Sequence, residues 1–240
     1  MRCYLRPQNI RAISFDLDDT LYDNEPHILN AEAELMQFLH QAYPLTQAWQ
    51  PQQWRLLKLQ LIQQNPALAH DTSAARIATL HKGLLLLGYS EPEAKRGAQE
   101  GLDCFYFHRS HFKVSDDVLA LLTRLSAHFR LIGITNGNVD AQRIGLSNVF
   151  EFVLHPGSGV RMKPAKDMFS QACERLDIGL DQLLHVGDSM NADVRGARLA
   201  GCQSVWLNPS FGRVASLPIA ALLPHMEIAT LDSLQEMLLP

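Results

Sequence analysis

The apolar run from Ile10 to Phe15 stops abruptly at Asp16, and its shortness reads as a buried strand. Asp18, Asp19 and Thr20, then Tyr22, Asp23 and Asn24, are loop-forming positions. From about Pro26 to Phe112 the period becomes helical, as at Ala31, Leu35, Phe38 and Leu39. Further helical stretches fall at about 51–64, 71–87 and 91–111, with breakers at Pro44, Pro51, Pro66 and Pro92. From Asp116 strands and helices alternate. The pattern predicts a helix over 116–128, a strand over 131–134, and a short helix before a strand at 152–154. A helix opened by Pro164 runs to 176, and a strand covers 183–186. A helix over 192–200 closed by Gly201 then leads to a strand at 203–207.

Such alternation implies an α/β fold, a doubly wound, Rossmann-like parallel sheet covered on both faces. The helical stretch is an insert of few β-prone residues, which divides the chain into a core of residues 1–24 and 113–240 and an insert of 25–112. The chain of 240 residues is 47% hydrophobic and 19% charged, enough to bury a core without disulfides. A formal charge of −4 with no run of like charges argues against nucleic acid or an anionic membrane as partner. The N-terminal residues lack a secretory leader's apolar segment. No segment approaches 18 uncharged apolar residues, and the uncharged stretch 214–226 contains two prolines and is too short to span a bilayer. Cys3, Cys104, Cys173 and Cys202 are too scattered for zinc and read as reduced thiols in the cytoplasm.

Ligands of a doubly wound sheet gather beyond the carboxyl ends of its strands. Four segments placed there carry one chemistry. In F-D-L-D-D-T-L, Asp16 can attack phosphorus, and Asp18 can protonate the leaving oxygen and then activate water. The Asp18 backbone carbonyl can also meet a metal. D-x-D alone is equally an acidic turn. In I-T-N-G-N, Thr135 offers a hydroxyl, and the Asn136 and Gly137 N–H groups could receive phosphoryl oxygens, although the string is also ordinary turn chemistry. Lys163 precedes a helix start, where an anion would be welcome; a solvated loop lysine is the alternative. In H-V-G-D-S-M-N-A-D, Asp188 sits at a strand end and Asp193 can support it from the next turn, or merely favour a helix start. An oxygen-only donor set suits Mg²⁺. His108 and His111, Trp49 and Trp54, and His185 read more simply as surface, packing and core residues.

The four segments, in this order, resemble the haloacid dehalogenase (HAD) superfamily over residues 10–24 and 115–208. The resemblance implies Asp16 as nucleophile, Asp18 as general acid and base, Thr135 as phosphate-binding hydroxyl, and Lys163 as stabiliser of the transferred phosphoryl group. It implies Asp188 as a metal carboxylate beside Asp16 and Asp18, Mg²⁺ as cofactor, and the helical insert as a cap. The strings F-D-L-D-D-T-L-Y-D-N, F-E-F-V-L, L-H-V-G-D and L-L-P-H-M-E-I are similar to a bacterial subfamily. Its members are phosphatases of flavin mononucleotide and of the riboflavin precursor 5-amino-6-(5-phospho-D-ribitylamino)uracil. A small phosphate monoester is the partner this implies, with Tyr106 and Phe107 as candidate ring-stacking residues. A dehalogenase, a sugar-phosphate phosphatase, a phosphomutase and a catalytically silent phosphate-binding module are the competing readings.

Overall fold

A computed structural model describes residues 1–211 and 222–239; residues 214–221 of the uncharged stretch lie outside them. Seven strands form one sheet: β1 (Arg2–Cys3), β2 (Ala12–Phe15), β3 (Arg130–Ile134), β4 (Val153–Leu154), β5 (Leu183–Gly187), β6 (Gln203–Leu207) and β7 (Met226–Ile228). Their order is β1-β7-β6-β5-β2-β3-β4, parallel throughout except for β1 against β7. The chain runs outward from β2 through β3 to β4, then returns to lay β5 on the other side of β2. That reversal opens a crevice at the carboxyl ends of β2 and β5, where α/β sheets bind ligands.

Alternation along the strands explains the two buried layers. Ile13, Phe15, Leu131, Leu184 and Val186 face one apolar cluster, with Leu121, Leu122 and Leu125 of helix α5 (Asp116–Ser126). Ala12, Ile132, Ile134 and Leu183 face the other, with Met168, Phe169 and Ala172 of α6 (Asp167–Leu176). Between β2 and α5 come α1 (Glu25–Ala42), α2 (Pro51–Gln64), α3 (Thr72–Leu86) and α4 (Glu91–Arg109), with a third cluster of their own. Small residues on α4 permit close approach: a Cβ on Gly97 would stand 2.6 Å from the Tyr43 ring and 2.7 Å from Leu84. Trp54 is buried in this cluster and meets Trp49 edge-on at 5.0 Å, so both pack as the sequence reading expected.

Several expected elements differ. The expected helix before β4 is a set of turns, because Asp140 Oδ1 accepts from the Gln142 and Arg143 N–H groups and Gly145 takes φ +96° after one turn. The expected helix from Pro164 starts at Asp167, after a turn closed by the Ala165 N–H on the Met162 carbonyl. The 192–200 helix begins earlier, as a π-turn over Met190–Arg195 leading into α7 (Gly196–Ala200), and Gly201 at φ +95° ends it. β1, β7 and the terminal helix α8 (Ser233–Leu238) are additional elements, too short for a period to register. Among the described residues no helix is long and apolar enough to cross a membrane.

Candidate active site

The parallel register sets Phe15 beside Gly133 on one side and Val186 on the other, so the next residues of all three strands meet at one rim. Asp16, 8% exposed, is anchored there by its N–H on the Val186 carbonyl at 2.8 Å. Lys163 arrives from the loop before α6, and its side chain is 1% exposed. Its Nζ lies 2.9 Å from Asp16 Oδ1 and 2.7 Å from Asp193 Oδ1, and donates to the Ile134 carbonyl at 2.5 Å. Asn136 fixes the lysine's backbone: its Nδ2 donates to the Lys163 carbonyl at 2.9 Å and its Oδ1 accepts from the Lys163 N–H at 2.8 Å.

Asp193 is fully buried, and both its oxygens are committed. Oδ1 takes Lys163 and the His185 Nε2–H at 3.1 Å; Oδ2 accepts the Ser189 N–H at 2.9 Å. His185 is locked in turn by the Ser14 hydroxyl at its Nδ1, 2.9 Å away. Asp188, half-buried, receives the Thr20 hydroxyl on Oδ1 at 3.2 Å, and its carbonyl receives Trp206 Nε1–H at 2.7 Å. Asp18 stands apart from this carboxylate group. Its Oδ1 accepts the Tyr22 hydroxyl at 2.6 Å and the Arg109 Nη2–H, while Oδ2 faces Gly137. Thr135 is buried, and its Oγ1 accepts the Gly137 N–H at 3.0 Å.

Burial pushes the Asp16 carboxyl up to about 7, with Lys163 opposing and Asp193 reinforcing the shift. Asp188 is also raised, by burial and then by Asp193. Burial alone would raise Asp193, but Lys163 and His185 outweigh it and hold that carboxyl below its usual range. Burial likewise opposes the Lys163 charge, and Asp16 and Asp193 overcome it, leaving the ammonium raised. Burial and the Lys163 charge lower His185, so it is a neutral ring donating to Asp193.

The structure therefore gathers Asp16, Lys163, Asp188 and Asp193 around one point, with Asp18, Thr135 and Asn136 at its edge. Oxygens of Asp16, Asp188 and Asp193 lie within 4.8 Å of one another. Asp16 Oδ1 is buried and faces the Lys163 ammonium at 2.9 Å. Three clustered carboxylates faced by a single ammonium, an oxygen-only set, fit a hard cation such as Mg²⁺. The committed oxygens of Asp193 fit it for holding Lys163 in place, leaving Asp16, Asp188 and the Asp18 carbonyl as candidate ligands.

Sequence reasoning read His185 as a core residue, which its burial matches, without its polar partners, and passed over the roles of Tyr22 and Arg109. A histidine amid the buried residues of L-L-H-V-G, next to the strand bearing Ser14, was a signal of paired polar groups. Arg109 falls one helical turn past Phe105 on the buried stripe of α4, where a charge requires a partner. Tyr106, also on α4, reaches Ser73, which accepts from Asn138 Nδ2 at 3.4 Å, beside the Thr135 loop. Phe107 instead stacks on His111, 5.4 Å away, with Arg143 over its ring.

Comparison with known proteins places this arrangement. A profile of the haloacid dehalogenase-like hydrolases, a hydrolase family, matches residues 10–201. The 5-amino-6-(5-phospho-D-ribitylamino)uracil phosphatase YigB of Escherichia coli K12 is 36% identical over 99% of this chain and 100% of its own. The N-acylneuraminate-9-phosphatase of Mus musculus is 27% identical, over 95% of this chain and 94% of its own. Among solved structures, a 2-haloacid dehalogenase from Pseudomonas syringae pv. Tomato DC3000 superposes with a TM-score of 0.88. It is 33% identical and covers 95% of this chain and 98% of its own.

Proposed function

The chain belongs to the haloacid dehalogenase-like hydrolases and is a phosphatase, and from that premise we propose that it is a Mg²⁺-dependent phosphomonoesterase working through an aspartyl-phosphate on Asp16. The observation that carries this reading is the Asp16 carboxylate at the switch point, paired with buried Lys163 and flanked by Asp188. A carboxylate and a phosphate dianion repel, so attack requires positive charge between them. Lys163 supplies one unit, kept charged by Asp193. Mg²⁺ held by Asp16, Asp188 and the Asp18 carbonyl would supply the rest as a Lewis acid.

An Asp16 oxygen attacks phosphorus as the ester P–O bond breaks, and Asp18 gives its proton to the departing alkoxide. Water then attacks phosphorus, Asp18 takes its proton, and the Asp16–phosphorus bond breaks to release inorganic phosphate. Thr135 and the Asn136 backbone N–H are proposed to receive phosphoryl oxygens. The Asn136 side chain is occupied in holding the Lys163 backbone, and the Gly137 N–H in binding Thr135. Residues 25–112 are proposed as a cap over this site and residues 1–24 with 113–240 as the catalytic core, Arg109 spanning the two. Four unpaired thiols support a reducing compartment, the cytoplasm.

For substrate we propose 5-amino-6-(5-phospho-D-ribitylamino)uracil, flavin mononucleotide or both. The support is 36% identity over 99% of the chain with a phosphatase named for the first of these, and Tyr106 at the edge of the phosphoryl site. Stacking of a ring on Tyr106 would add only about 1 kcal/mol, so activity on several phosphorylated metabolites is expected. The 33% identical dehalogenase is a reason to test a second reading. A halide leaves without a proton, which would give Asp18 no task in that chemistry.

The test is phosphate and halide release by wild type and Asp16→Asn, with phosphoryl trapping. Phosphate release should depend on Mg²⁺, phosphate should trap on Asp16, and Asp16→Asn should lose most turnover. Halide release without phosphate release would overturn the proposal. For the substrate, a simple sugar phosphate preferred over both ribityl phosphates by more than about tenfold in kcat/KM, about 1.4 kcal/mol, would overturn that assignment alone.

A further inference from the structure

Arg109 is a charged side chain to which the chemistry above gives no task. It closes α4 on the same buried stripe as Ala98 and Phe105, and it is 1% exposed. An arginine at a helix end is ordinarily solvated or turned back onto the last carbonyls. This one crosses from the helical segment to the sheet rim and donates Nη2–H to Asp18 Oδ1, while Nη1 is buried without a partner. Burying a guanidinium with one nitrogen unsatisfied is costly, and its paired carboxylate is the group assigned to proton transfer.

The placement on Asp18 is specific. Arg109 and the Tyr22 hydroxyl both donate to Oδ1, which fixes the carboxylate about its Cβ–Cγ bond. The other oxygen is directed at the Thr135–Gly137 loop: a Cβ on Gly137 would stand 2.4 Å from Oδ2 and 3.4 Å from Thr135 Oγ1. Oδ2 is thus the oxygen facing the phosphoryl side of the site. We infer that Arg109 is a positioning residue for proton transfer, clamping Asp18 so that Oδ2 meets the leaving-group oxygen, and thereby tying that geometry to the docked position of the helical segment. This rests on Asp18 as the proton donor. Arg109 reaches Asp18 through Nη2, so its removal should act on the ester that needs a proton, whereas the loss of an arginine serving substrate binding would weaken both esters alike.

The experiment uses leaving groups of unequal need for a proton. Wild type, Arg109→Ala, Tyr22→Phe and Asp18→Asn are assayed with flavin mononucleotide, whose alkoxide must be protonated, and with p-nitrophenyl phosphate, whose phenolate leaves unaided. In Arg109→Ala, kcat/KM, which reads the steps up to departure of the alcohol and not the shared hydrolysis of the aspartyl-phosphate, should fall about 100-fold for the alkyl ester and about threefold for the aryl ester, because only the first needs general acid assistance. Tyr22→Phe should show the same pattern in kcat/KM more weakly. Millimolar guanidinium should restore the alkyl-ester rate of Arg109→Ala and leave wild type unchanged. Should that variant not fold, Arg109→Lys keeps the charge but not the fork, and should show a smaller loss of the same ester dependence. Equal losses on both esters in the Arg109 variant, with Asp18→Asn still selective for the alkyl ester, would overturn the inference and leave the phosphatase mechanism standing. Equal losses in Asp18→Asn would overturn the proton-donor assignment, and the inference with it.

Discussion

Asp193→Asn removes one charge from the interior while keeping the side chain's shape, and the structure gives the cost. The carboxylate is enclosed by Lys163 at 2.7 Å, His185 at 3.1 Å and the Ser189 N–H at 2.9 Å, all donors. Either orientation of an amide sets its own N–H₂ against donors, at the Lys163–His185 side or at Ser189. Removing one partner of a buried ion pair costs about 3–5 kcal/mol. Asp16 remains 2.9 Å from the lysine and takes over part of the pairing, which points to the lower end, about 3 kcal/mol. For a chain of this size that is a fall of about 6–12 °C in Tm. The sign with pH follows from the shifts. Asp193 is held below its usual range, so its contribution is present above the unfolded value of about 4 and drains as pH falls through the folded one. Lys163 is raised, so its contribution is present below about 10.4 and lost only as pH climbs past its folded value. The stability gap between wild type and variant should therefore be widest between these limits and narrow in acid. Urea unfolding at pH 7 and at pH 3 measures it. A loss below about 1 kcal/mol at pH 7, within the reach of a surface pair, would refute the argument, as would a gap equal at both pH values.

Metal removal offers a second check. Chelation should abolish phosphate release and Mg²⁺ restore it. Because the Asp16 carboxyl is pushed up to about 7, Mg²⁺ affinity should rise about tenfold per pH unit below 7 and level off above, with protons released on binding at the lower pH values. Calorimetry in two buffers of different ionisation enthalpy reads both effects, and a pH-independent affinity would remove Asp16 from the ligand set. Gly137→Ala should leave the fold intact yet lower kcat by about 100-fold, because its Cβ would displace Asp18 Oδ2 by about 1 Å. Steady-state kinetics at wild-type rates would show that Asp18 tolerates the shift.

The sequence by itself determined the parts that depend on local periodicity and strand ends. The run before Asp16, the four-residue strand before Thr135 and the strand before Asp188 marked three candidate positions that the sheet brings together, since in a parallel sheet their carboxyl ends must lie side by side. The change to a helical period after Asn24 likewise marked the run of helices α1–α4. Short β1 and β7 were invisible because two or three residues carry no period, and the turns after Asn136 were misread because Asp140 and Gly145 override the apolar spacing. What only the tertiary structure decided is which polar groups answer one another. Ser14 and His185 are 171 positions apart, Asp18 and Arg109 are 91 apart, and each pair is in contact. The order β5-β2-β3 and the docking of α4 bring them together, and no spacing along the chain encodes either. A buried charge must find a counter-charge somewhere. The fold alone buries Lys163 and Arg109 and determines where that need is met.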